Sequence, residues 1–98
     1  MSTAIVQNRV QRDPFMTVRV RDPNGHRHVV LEGLRASATV PEIRARAIAA
    51  LHLPSDVDWN VRQDRTGRLL REEQRLREFV DEDAPQAELT MQPDASLG

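Results

Sequence analysis

The 98-residue sequence has no cysteine, which excludes disulfides, thiolate metal sites and a cysteine nucleophile, and suits a reducing cytoplasm. It also has no lysine, since all fourteen basic side chains are arginine. The chain therefore offers no ordinary side-chain amine for an isopeptide bond, although arginine used so uniformly is also the mark of a GC-rich genome. Long apolar runs are missing too. Ala4-Ile5-Val6 is too short for a signal-peptide core and no later stretch approaches a membrane span, so a soluble, cytoplasmic protein without a membrane partner is expected. Nor is there an excess of charge of one sign. With a net charge of -1, no global field draws the chain to nucleic acid or to an anionic surface, and partners must be recognised locally. Without internal repeats or a Gly/Ser-rich linker, the length fits one domain, expected to be a monomer.

What is present is a set of short, well-punctuated periodic segments. Residues 1–15 are polar and mixed and are read as a flexible N-terminal extension, followed by a domain over 16–92 and a flexible tail over 93–98. Met16, Val18 and Val20 alternate with Thr17, Arg19 and Arg21, the period of a half-buried strand with its arginines toward solvent. Asp22-Pro23-Asn24-Gly25 reads as a turn, and His28 to Leu31 as the returning strand with Val29 and Leu31 inward, before a break at Gly33 and a core contact at Leu34. Thr39-Val40-Pro41-Glu42 carries the signature of a capping box. Behind it, Val40, Ile43, Ala47, Ala50 and Leu51 form an apolar helical stripe that Pro54 should end. Val57, Trp59 and Val61 suggest a third strand with Trp59 in the core, and Leu69-Leu70 a short fourth. Leu76 and Phe79 mark one helical turn, Asp81-Glu82-Asp83 an acidic turn, and Ala87, Leu89 and Met91 a last strand that Pro93 stops.

The residues that could carry chemistry are few. His26 and His28, two apart on the expected strand, would share a face, but no third ligand is evident, so no metal or other cofactor is assigned. The acidic turn lacks the spaced ligands and central glycine of a calcium loop. Ser2, Ser37, Ser55 and Ser96 have no histidine and carboxylate setting for nucleophilic catalysis, and the chain is not expected to be an enzyme.

Strand, strand, helix, strand, short strand, turn and strand is an order that resembles ubiquitin and its relatives. The likeness is carried by Thr39-Val40-Pro41-Glu42-Ile43 at the helix start, Leu53-Pro54-Ser55-Asp56 after it, and Arg68-Leu69-Leu70 leading toward Leu76 and Phe79. It implies an α+β, ubiquitin-like β-grasp fold: a mixed four- to five-stranded sheet packed on one main helix. Trp59-Asn60-Val61-Arg62 followed by Asp64-Arg65-Thr66-Gly67-Arg68-Leu69-Leu70 resembles the bacterial branch, both its ubiquitin-like modifiers and the ubiquitin-like accessory proteins of type VII secretion. The resemblance brings the first and third strands to either side of the last, so that Arg19, Arg21 and Arg62 share a sheet face. The outward positions of the third and last strands become Asp58, Asn60, Arg62, Glu88, Thr90 and Gln92, where ubiquitin carries an apolar patch.

The tail Gln92-Pro93-Asp94-Ala95-Ser96-Leu97-Gly98 suits a modifier, because a terminal glycine has no β-carbon and can pass a narrow enzyme channel. The resemblance then implies activation and conjugation at the Gly98 carboxylate by partner enzymes, removal by a deconjugating peptidase, and a protein target. Partner contacts are expected at Leu97 and Ser96 in the tail and at Arg62, Asn60, Arg19 and Arg21 on the sheet. The alternative is a noncovalent protein-interaction module that dispenses with the tail. A sulfur carrier is favoured least, since Leu97-Gly98 stands where paired glycines are typical.

Overall fold

The computed structural model describes residues 14–80 and 86–94. Of the expected extension over 1–15, residues 1–13 lie outside the described residues, as do the acidic turn at Asp81-Glu82-Asp83 and the tail residues Ser96, Leu97 and Gly98, whereas Phe15 already belongs to the first strand, where it pairs with Arg35.

Period-two alternation builds the first hairpin. In β1 (Phe15–Arg21) Val18 and Val20 are fully buried, and β2 (His28–Arg35) pairs with it antiparallel, setting Val18 opposite Leu31 and Arg19 opposite Val30. Gly25, at φ 74°, takes the left-handed turn position and its amide donates to the Asp22 carbonyl at 3.0 Å. The Asp22 carboxylate accepts the amides of His26 at 2.9 Å and Arg27 at 3.3 Å. Burial works to raise the pKa of this group, but the amide hydrogen bonds and the Arg27 charge outweigh it and hold the carboxyl below its ordinary range. β2 runs further than the sequence suggested. A bulge at Glu32-Gly33, with Gly33 at φ 77°, returns Leu34 to the core, and the Arg46 guanidinium donates to the Glu32 carbonyl at 3.0 Å.

Helix α1 (Val40–Leu51) buries Val40, Ile43, Ala47 and Leu51 against the sheet. Ala50, expected on that stripe, is exposed in the last turn, and half-buried Ile48 packs at the core edge instead. The expected capping box does not close. Pro41 removes one of the amides a cap would serve, the Gln74 carbonyl accepts the Val40 amide at 3.2 Å, and the Thr39 hydroxyl turns to donate to Glu42 at 3.3 Å. The helix also stops before Pro54 exerts its effect, because His52 adopts the left-handed conformation and the Leu53 amide closes on the Ile48 carbonyl at 3.0 Å.

β3 (Trp59–Gln63) starts after Val57, which is exposed and outside the strand. Trp59 and Val61 point inward, and the indole N–H donates to the Pro54 carbonyl at 2.9 Å. Leu69-Leu70 contributes a single bridge, Arg62 to Leu69, and no strand, because the chain leaves the sheet again right after the Leu70 amide reaches the Val61 carbonyl. The connection is held elsewhere: Arg44 donates two hydrogen bonds to Glu72 at 2.5 and 2.6 Å, raising its own pKa and lowering that of Glu72. A 3₁₀ turn (Leu76–Glu78) then inserts fully buried Leu76, whose amide donates to the Ala38 carbonyl at 2.8 Å.

β4 (Gln86–Pro93) lies parallel to β1 and antiparallel to β3, so the sheet order is β2-β1-β4-β3. Four strands and one main helix thus realise the α+β arrangement at its lower strand count. Apolar side chains from the inner sheet face, the helix and Leu76 form one core, and among the described residues no element packs over the opposite sheet face.

Candidate functional site

Because strand parity fixes direction, the residues between the core positions emerge together on the open face. The register aligns them in two rows. His28, Arg21, Thr90 and Arg62 follow one another across all four strands, and Val30, Arg19 and Glu88 form the row beside them. Asn60 stands opposite Gln92 toward the end of β3. Arg19, Arg21, Arg62 and Asn60 are therefore neighbours on one surface.

The electrostatics of that surface are loosely closed. Arg21 approaches Glu88 at 3.9 Å and Arg62 approaches Asp64 at 3.7 Å, both longer than a hydrogen bond. Asp64 instead accepts the Thr90 hydroxyl at 2.6 Å, while its second carboxylate oxygen is buried without a partner. The Nε atoms of Arg19 and Arg62 are likewise buried and unpartnered. Thr90, expected to face outward in solvent, is among the buried polar residues because Asp64 covers it, and Arg19 is half-buried rather than solvated.

Two apolar side chains interrupt the polar face. Val30 is exposed beside Arg19, and Phe15 stands at the β1 entrance with the Arg35 guanidinium 4.6 Å from its ring centre. Neither is among the outward residues expected from the sequence, which were arginines on the first strand and polar residues on the third and last. A count of period-two positions on the first hairpin would have found both. Asp64 was read only as part of a turn, and nothing in the sequence announces its reach back to Thr90.

A second surface lies beyond the β3 edge, where Leu70, Phe79 and Val80 floor an open groove of about 700 Å³ rimmed by Arg68 and Arg71. Arg71 is engaged by Glu73 at 2.7 Å, and the Glu78 carboxylate by the Arg75 amide at 3.0 Å. His26 sits in the hairpin turn outside β2, so it does not share a strand with His28 as expected. Among the described residues no cluster of three His, Cys, Asp or Glu side chains could hold a metal ion, and no helix is long and apolar enough to cross a membrane.

Comparison with solved structures gives the class of fold. A structure described as Caldiarchaeum subterraneum ubiquitin superposes with a TM-score of 0.65 at 22% identity, covering 87% of this chain and 100% of that one. The fold is ubiquitin-like. No family model and no curated protein matches the sequence.

Proposed function

We propose that this chain is a ubiquitin-like protein modifier, joined to its targets through the Gly98 carboxylate. The observation that carries the reading is the placement of β4. It is a central strand, paired on both sides, and it ends at the sheet boundary, where the Asp94 amide donates to the Asp58 carbonyl at 2.9 Å. The residues that follow thus have an anchored root. The likeness to an archaeal ubiquitin supports the same reading at the level of fold, and many functions share such folds.

In the proposed chemistry, the Gly98 carboxylate, whether encoded at the end or uncovered by cleavage, attacks a nucleoside triphosphate and becomes an acyl nucleotide with release of pyrophosphate. An amine or hydroxyl of the target then attacks the acyl carbon, the nucleotide leaves, and an amide or ester remains. Activating- and conjugating-type enzymes supply this catalysis, with Ser96 and Leu97 as their contacts. A deconjugating peptidase reverses it. The modifier itself supplies no catalytic group.

The open sheet face favours a second reading, a noncovalent interaction module. Its half-buried, incompletely paired arginines are the feature that reading needs.

One experiment separates the two. An amino-terminally tagged copy and a copy lacking Gly98 are purified from the native host under denaturing conditions and probed for larger tagged species. Species that depend on Gly98 are the expected outcome. Their absence from both copies under growth and stress conditions would refute the modifier and leave the noncovalent module.

A further inference from the structure

We infer that the open sheet face is a docking surface for an acidic protein segment, and that Arg19 and Arg62 are the side chains that grip its carboxylates. This rests on the protein-recognition part of the preceding reading and does not require conjugation.

Arg19 and Arg62 carry the argument. A guanidinium is a planar fork of five donors, and a carboxylate matches two of them at once. Among the described residues no acceptor lies within hydrogen-bond distance of the Nε of Arg19 or Arg62. Both Nε–H groups are withdrawn from water without a partner, and the acid nearest Arg62 is 3.7 Å away and already accepts the Thr90 hydroxyl. Among the described residues no acceptor engages the Arg19 head group. No internal hydrogen bond at Nε holds either guanidinium in place, so each arginine can turn its fork outward to a carboxylate and relieve a buried, unmet donor as it does so, a gain that a fully paired surface does not have.

The charges inside the face are also arranged to be exchanged. Glu88 stands between Arg19 and the β3 side, within 3.9 Å of Arg21. Half-exposed and loosely held, it partly neutralises the arginines in the free protein and competes with any acid that arrives. Exposed Val30 beside Arg19 supplies an apolar contact within reach of the same ligand.

The groove beyond β3 also shows arginines, but it is a poorer acid receptor. Arg71 already holds Glu73 at 2.7 Å, and Glu78 adds negative charge to the groove wall. An acidic segment placed there would compete with Glu73 for Arg71 and meet the like charge of Glu78.

The test uses the full chain, labelled with ¹⁵N, and follows backbone amides and arginine Nε–Hε signals during titration with hexaglutamate. Hexalysine and a short oligothymidylate are titrated in parallel. Hexaglutamate is expected to shift the Arg19 and Arg62 Nε–Hε signals and the amides of β1, β3 and β4, with affinity falling severalfold as salt rises from about 0.05 to about 0.3 M. The Arg19→Gln/Arg62→Gln double variant should bind about tenfold more weakly. Glu88→Gln should bind about two- to threefold more tightly, a gain that damage to the fold cannot imitate. A copy lacking Gly98 should bind as the full chain does, so this result and the conjugation result stand or fall separately. Unchanged affinity in the double arginine variant, or shifts centred on Arg68 and Arg71, would overturn the inference. Tighter binding of oligothymidylate at the same residues would replace the acidic protein partner with nucleic acid.

Discussion

The two faces of the sheet are made by the same strands and obey opposite rules. On the inner face Val18, Val20, Val61, Leu89 and Met91 are almost wholly shielded from water and meet Ile43 and Leu76 from the other side. Every side chain there has its place filled. On the outer face the side chains one residue along are arginines, acids and a threonine, and among the described residues Thr90 to Asp64 is the one pair of them within hydrogen-bond distance, the Arg21–Glu88 and Arg62–Asp64 approaches being longer. Close packing on one face determines the fold and tolerates little change, whereas loose pairing on the other leaves interactions for a partner to complete.

The sharpest way to break the inner face is Ile43→Ala. Ile43 is 1% exposed and central to the helix contact, so its truncation should cost about 3 kcal/mol, read as a lower denaturation midpoint with an unchanged denaturant slope. An equal shift from an outer-face substitution would erase the distinction between the faces. On the outer face the largest loss is expected from Thr90→Val, which keeps the shape but deprives the Asp64 carboxylate of the Thr90 hydroxyl. About 1 to 2 kcal/mol should be lost in the same assay. A smaller and pH-limited effect belongs to Asp22 at the hairpin turn. Its folded-state pKa lies below the ordinary 3.8, so the unfolded chain binds the proton more readily. The stabilisation is complete above that value and disappears as pH falls through the lower folded value. Asp22→Asn should therefore flatten the acid limb of the stability curve below about pH 4, and an unaltered limb would show that the turn hydrogen bonds contribute nothing there.

The inner face was the legible one. Alternating apolar residues located both hairpin strands, β3 and β4, and helical spacing located α1, because burial imposes a period that survives in sequence. What escaped depended on residues far apart in the chain. The Thr39 cap did not form beside Pro41, which has no amide to offer, the neighbouring Val40 amide is met by a carbonyl supplied by Gln74, and Leu69-Leu70 stayed outside the sheet although its composition suits a strand. The Asp64–Thr90 hydrogen bond has no local signature at all. On the open face the sequence suggested that Arg19, Arg21 and Arg62 would be neighbours, but only strand register reveals that Arg21, Thr90 and Arg62 stand in one row. Which of their donors lack partners is a matter of distances, and no sequence pattern records it.

The parallel pairing of β1 with β4 also governs how this chain comes into being. Val18 is matched with Ala87, so the strand made first must wait beside an empty central slot until the last one has been synthesised. The hairpin, the helix and β3 can gather earlier, but the core they share stays open along its middle. Long-range closure of this kind is slow, and a ribosome that stalls before β4 leaves a product with exposed aliphatic surface and unpaired strand edges. Such fragments are candidates for chaperones and proteases, so quality control can tell a finished molecule from a truncated one by whether that slot is filled.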